Sequence, residues 1–140
     1  MTPQARSLGW LRDHGFIAES VEKYAPFPDF KSHPCLACGQ RKMIPRRVDL
    51  FNAFDILAVR ECVHFIQVTT GANSANRMQK MMAHPDVAPN VLKALRGGVR
   101  ISVHSWYKNA KGRWELTERP ITEGMIAQPV LALVATEVPF

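Results

Sequence analysis

The sequence predicts a single α/β domain, and three observations carry that expectation. A first helix is signalled at both ends, the stretch from Arg47 to Thr70 is rich in apolar and β-branched residues like a long hairpin, and a helical segment then leads into alternating strands. At 140 residues with 46% hydrophobic side chains, the chain can build one core. The expected architecture is a central mixed sheet of about four to five strands flanked by helices, in the order α-β-β-β-α-β-β.

The elements follow from local signals. Thr2 is a candidate N-cap, Pro3 stands in the first turn and Gly15 lies just past the end, so residues from Thr2 to His14 read as a helix carrying Leu8, Trp10 and Leu11. Phe16 to Tyr24 sets Ile17 and Val21 among Glu19, Ser20 and Glu22 and predicts a first strand. Pro26, Pro28, Pro34 and Pro45 then mark residues 25–46 as an insertion with little regular structure. Arg47 to Arg60 and Cys62 to Thr70 read as two strands around a tight turn. If that hairpin is symmetric about Glu61, Asp55 lies opposite Gln67, and a side-chain period of two puts Asp49, Asp55, Gln67 and Thr69 on one face, provided no bulge intervenes.

Beyond Gly71, Ser74 to Met82 reads as a helix with Ser74 as its N-cap, interrupted near Pro85, resumed from Pro89 to Leu95 and ended by Gly97 and Gly98. Val99 to Tyr107 and Arg113 to Glu118 read as strands around a turn at Asn109 to Gly112. Residues 119–140 form a C-terminal extension, with Val130 to Ala135 as one more strand candidate.

Composition narrows the partners. Eighteen Lys and Arg against twelve Asp and Glu give a net charge of +6, which favours polyanions and above all nucleic acid. No apolar run is long enough to span a bilayer and the N-terminus lacks the apolar stretch of a secretory signal, so an intracellular, cytoplasmic protein with no membrane partner is expected. Three cysteines, an odd number, point to reduced thiols or a metal site.

The sharpest chemical signal is Asp55, a carboxylate inside the apolar run Phe-Asp-Ile-Leu, because a buried charge must be hydrogen-bonded, paired or bound to a cation. One reading is a divalent-metal site in which oxygen ligands hold Mg²⁺ or Mn²⁺ against a phosphodiester. The other is an ion pair with Arg47 or Arg100.

The order of elements, with RVDLFNAFDILAVR, then FIQVTT, then a helix and RISVHSWYK, resembles the PD-(D/E)xK nuclease superfamily, and within it the small Holliday-junction-resolvase-like and phage-type members. The likeness covers roughly residues 4–118 and implies a restriction-endonuclease-like core. It implies that Asp55 binds metal, that Gln67 stands where the Glu of the ExK motif stands, and that Thr69 stands where the Lys stands. Gln67 keeps a carbonyl ligand but lowers the ligand charge. Thr69 supplies no cation, a role left to Lys80, Arg77 or Arg100. Asp49, Glu19 and Glu22 are candidate additional carboxylates, while the first helix lacks the Glu that many relatives place there. A homodimer is a further expectation from the resolvase-like relatives.

His33, Cys35 and Cys38 form a second candidate site, since Cys-x2-Cys-Gly has the form of a zinc knuckle with His33 as a third ligand. Cys62 and His64 are excluded as completing ligands because about twelve residues of strand, some 40 Å, separate them from the loop. Asp29, a second subunit, or two ordinary thiols without zinc remain open. Arg46, Arg47, Arg77, Lys80 and Arg100 are the candidate phosphate contacts, with a solvated basic face as the alternative. His104 has no evident partner.

The leading expectation is a metal-dependent DNA endonuclease acting on branched or structured DNA. The alternative is a catalytically degenerate module of the same fold that binds nucleic acid or a protein partner.

Overall fold

The computed structural model of the chain describes residues 1–135. Its centre is a five-stranded mixed sheet, and the α/β class and flanking helices agree with the sequence expectation. Helix α1 (Pro3–Asp13) leads into β1 (Ile17–Ser20) and then into a separate two-stranded ribbon, β2 (Lys23–Pro28) and β3 (Met43–Val48). The chain returns through β4 (Ile56–Val59) and β5 (Val63–Thr70), crosses over by α2 (Ser74–Ala83) and α3 (Ala88–Arg96), and continues as β6 (Arg100–Lys108), β7 (Trp114–Ile121) and α4 (Gln128–Ala135). The sheet order is β1-β4-β5-β6-β7, with β5 and β6 parallel and the other neighbours antiparallel. That one parallel pair follows from the connection, because α2 and α3 carry the chain back to the starting end of the sheet.

Two cores lie on opposite faces. Leu11 of α1 packs with Ala18, Ile56, Ala58, Ile66, Val68 and Trp106 on one face. On the other, Met78, Met81, Val91 and Leu92 meet Ile101 and Val103, joined by Val130 of α4. Strand β6, buried on both faces, alternates between these cores. His104 is fully buried on the α1 side, bonded through Nδ1 to the Ser7 hydroxyl at 3.0 Å and through Nε2 to Glu118 at 3.2 Å. Trp106 Nε1 donates to the same Ser7 oxygen at 2.8 Å, so one buried hydroxyl fastens α1 to the sheet. His104 therefore has the partners that the sequence did not reveal.

Four expectations are corrected. The strand read from Phe16 to Tyr24 is two strands, because the chain leaves the sheet at Val21 and Glu22. The insertion is irregular over residues 29–42, as expected, but its two ends pair as an antiparallel ribbon: Pro26 lies opposite Pro45, a pair that exchanges no N–H bonds and so fits an exposed antiparallel ribbon. Arg47 to Arg60 is likewise broken, β3 ending at Val48 and β4 starting at Ile56. Val130 to Ala135 is helical, begun by Pro129 in the first turn, with Val130, Leu131 and Val134 meeting the core at helical spacing. Residues 136–140 of the expected extension lie outside the described residues.

Candidate metal centre

The site forms where β1 ends, β4 begins and β5 ends. Pairing of Ile56 with Ile66 and of Val59 with Val63 makes the hairpin symmetric about Glu61; the register ends at Ile56, where the Asp55 amide also donates to the Ile66 carbonyl at 2.9 Å as in a bulge, and Asp55 meets Gln67 through its side chain. Asp55 accepts a hydrogen bond from Gln67 Nε2 at 2.7 Å and from the Val68 amide at 2.8 Å, both on its Oδ2. Gln67 and Thr69 are buried beside it. Gln67 Oε1 accepts no hydrogen bond from the described residues and remains available as a neutral oxygen ligand.

Asp49 reaches the site by a different route from the one predicted. It does not extend the strand of Asp55; residues 49–55 form a turn closed by the Leu50 and Phe54 bridge, with Phe51 at φ 53° and Asn52 at φ 60°. A bulky residue in this left-handed region is strained. Phe51 is held there by its ring contact with Phe65 and by Asn90, whose side chain donates to the Phe51 carbonyl at 3.1 Å. The turn carries Asp49 back over Asp55. Glu22 arrives from the end of β1, where the Val21 amide donates to the Asp55 carbonyl at 2.9 Å.

Glu22, Asp49 and Asp55 each offer one carboxylate oxygen within 4.8 Å of the others, the only such group of three or more His, Cys, Asp or Glu side chains among the described residues. This spacing suits oxygen ligands around one hard divalent ion. The carboxylates do not titrate alike. Burial pushes the Asp55 carboxyl up to about 8, partly offset by the Val68 amide and reinforced by the negative charge of Asp49 and Glu22. Burial also pushes Glu22 upward, but its hydrogen bonds to Arg47 and Asp55 outweigh that and leave it below the ordinary range. Arg47 therefore pairs with Glu22, not with Asp55. The ion-pair alternative for Asp55 is not what forms; its nearest partners are an amide, a backbone N–H and two acids.

Around this centre lies a cleft of about 990 Å³. Arg46 and Arg47 line it from the ribbon and Arg77 and Lys80 from α2, alongside Glu22, Asp49, Asp55, Gln67 and Thr69. Arg100 is not among these residues: it pairs with His64 at the opposite end of β5, about 10 Å along the strand from Gln67. Glu19, paired with Leu57 on the sheet edge, also lies outside the cleft. Three further cleft residues, Gln4, His84 and Asp86, carried no local sequence signal. Gln4 stands at the start of α1, where its side-chain amide donates to Ser20 Oγ at 2.7 Å and to the Asp55 carbonyl at 3.5 Å. Ser74 is not the cap expected of it: it occupies the first turn of α2, buried, with its hydroxyl 2.8 Å from that of Ser105.

Cys35 and Cys38 lie exposed at the tip of the ribbon. The Gly39 amide donates to the Cys35 carbonyl at 2.7 Å, Gly39 taking φ 70°, and the Cys35 amide donates to the Gln40 carbonyl at 2.8 Å. Hydrogen bonds from the Cys38 and Ala37 backbone pull the Cys35 thiol below its ordinary range. The turn thus has the form of a knuckle, but among the described residues neither His33 nor an acid joins the two thiols in a group of three ligands.

No described helix is long and apolar enough to cross a membrane. Comparison with protein-family models, with curated proteins and with solved structures gives no match for this chain.

Proposed function

We propose that the chain is a metal-dependent endonuclease of the PD-(D/E)xK kind that hydrolyses phosphodiester bonds in DNA, with Glu22, Asp49, Asp55 and the Gln67 carbonyl holding Mg²⁺ or Mn²⁺. The observation that carries this reading is the convergence of three carboxylates on the floor of a cleft walled by Arg46, Arg77 and Lys80. Acids that would repel a phosphate are thereby placed among cations that would attract one, an arrangement that makes sense with a positive ion between acid and substrate. A divalent ion bound there neutralises charge on the phosphodiester and lowers the pKa of water.

The protein groups divide the remaining work. The Val68 amide and Gln67 Nε2 fix Asp55 through its Oδ2 and so hold the carboxylate beside Glu22 and Asp49. Lys80 and Arg77 provide the positive charge that Thr69 does not. The main-sheet order α-β-β-β-α-β-β, with the α2–α3 pair as its crossover and only β5 and β6 parallel, supports this reading by matching the order expected from the sequence. Gln67 and Thr69 themselves favour a second reading, a module that uses this cleft to bind nucleic acid without cutting it.

The test is cleavage of labelled branched, duplex and single-stranded DNA in Mg²⁺ or Mn²⁺. Cutting that requires the cation and disappears in Asp55→Ala is expected. Binding without cutting in either cation would replace the nuclease with the binding module.

A further inference from the structure

The ribbon of β2 and β3 is the part of the molecule that the sheet does not need. It forms a sheet of its own, β3 is exposed at all six positions, and neither strand contributes a residue to the two cores. An isolated two-stranded hairpin is marginal in water and gains most from a partner surface. Its charge indicates which one. Six of the eighteen Lys and Arg, but only one of the twelve Asp and Glu, lie between Lys23 and Val48, so the ribbon carries five of the six net positive charges.

The cations are held in place by the ribbon's own aromatic rings. Arg46 lies over the Phe27 ring at 4.7 Å and Arg41 over Phe30 at 5.3 Å, while the two rings meet edge to face at 5.8 Å. Arg41 also donates to the Ser32 carbonyl at 2.7 Å. Aromatic struts thus hold guanidinium groups along the ribbon, and Lys31 and Lys42 add two exposed ammonium groups near its tip. The base of the ribbon opens directly onto the cleft, where Phe27, Arg46 and Arg47 form one wall beside the carboxylates.

We infer that this ribbon is an arm that enters the major groove of B-form duplex DNA and presents the backbone to the cleft, an inference that rests on the nuclease reading for what happens in the cleft. Six residues per strand give an arm about 20 Å long. The B-DNA major groove admits a two-stranded β-ribbon, whereas the narrow major groove of A-form RNA does not. Because the struts occupy Phe27 and Phe30, those rings are committed to the arginines and not to stacking on unpaired bases.

The experiment is fluorescence-anisotropy binding of a DNA duplex, the matching single strand and an RNA duplex across a salt series, in chelator so that no cutting is required. The expected result is preference for the DNA duplex, with Lys31→Ala/Lys42→Ala reducing the slope of log K against log salt by about 2 and weakening binding about 30-fold at physiological salt. Lys111→Ala/Arg119→Ala, with the same loss of charge at the far side of the sheet from the ribbon, should leave both quantities near wild type. Equal effects of the two double variants, no effect of the ribbon variant, or equal affinity for the single strand or RNA duplex would overturn the arm. Ribbon-dependent duplex binding without cleavage would remove the nuclease reading and leave the arm standing; cleavage that ignores the ribbon substitutions would do the reverse.

Discussion

Replacing Asp55 by asparagine should stabilise the protein at alkaline pH in the absence of divalent cations. Burial and two neighbouring acids raise the Asp55 carboxyl from 3.8 to about 8. For an acid whose folded pKa is raised, the native state binds the proton more tightly than the unfolded chain does. Stability linked to this group is therefore fully present below about pH 4, falls as pH rises and is gone above about pH 8. At about 1.36 kcal/mol for each pH unit between those two values, the loss comes to about 5 kcal/mol. The asparagine side chain would be neutral throughout, and its carbonyl oxygen would still accept from the Val68 amide and Gln67. The difference in unfolding free energy between Asp55→Asn and wild type should thus grow from near zero at about pH 4 to about 5 kcal/mol at about pH 9.

Urea denaturation followed by circular dichroism measures this directly. In chelator the two pH profiles should diverge as described. With Mn²⁺ at about a hundred times its dissociation constant, the proposed metal centre requires the wild type alone to regain about 2.7 kcal/mol through binding to the ionised, folded cluster. Parallel profiles in chelator would refute the claim that burial and the neighbouring acids raise the Asp55 carboxyl. Divergence with no recovery in any divalent cation would refute the cluster as a metal centre while leaving its electrostatics intact.

Three further outcomes follow from particular contacts. Gln67→Glu removes the amide that donates to Asp55 at 2.7 Å and adds a fourth acid, so metal-free stability should fall by about 2 kcal/mol or more while calorimetric affinity for Mn²⁺ rises. Ser7→Ala leaves the His104 Nδ1 and Trp106 Nε1 without their shared partner in the core; urea unfolding should show a loss of about 2 to 4 kcal/mol, and a loss below about 1 would mean the core rearranges to satisfy both. Cys35, exposed and with its thiol lowered by backbone hydrogen bonds, should be alkylated at neutral pH well before the half-buried Cys62, as peptide mass spectrometry would report.

What was legible in the sequence was whatever depended on short-range order. The symmetry of the hairpin about Glu61 followed from two apolar strands around one polar break and brings the Asp55 and Gln67 side chains together, and the crossover helices followed from Gly and Pro punctuation. Asp49 was placed beside Asp55 for the wrong reason. The left-handed turn that brings it there is built on Phe51 and Asn52, without the glycine that normally announces such a turn. The ribbon was hidden because its prolines read as breakers, although opposed prolines are compatible with an exposed antiparallel pair. Val130 to Ala135 was hidden because a short apolar run has the same composition in a strand and in a helix. Contacts such as Ser7 with His104, 97 positions apart, and Gln4 with Ser20 depend on how α1 docks, which no local pattern encodes.

Under the proposed nuclease reading, glutamine rather than glutamate at position 67 has a physical rationale in the geometry. Three acids already crowd within 4.8 Å, and two like charges about 4 Å apart at an effective dielectric near 20 repel by about 4 kcal/mol. A glutamate at position 67 would add a further charge 2.7 Å from Asp55, in a buried position where only a tightly held cation could compensate. Gln67 instead favours the ionised form of Asp55 through its N–H and keeps Oε1 for the ion. On the proposed reading the site exchanges ligand charge for a folded state that tolerates the metal-free condition, and cation binding would be linked to Asp55 deprotonation. The glutamine then keeps the metal centre and limits its competition with protons: occupancy would tighten about tenfold per unit below about pH 8 as the single Asp55 proton is displaced, where a glutamate at position 67 would add a second proton to displace.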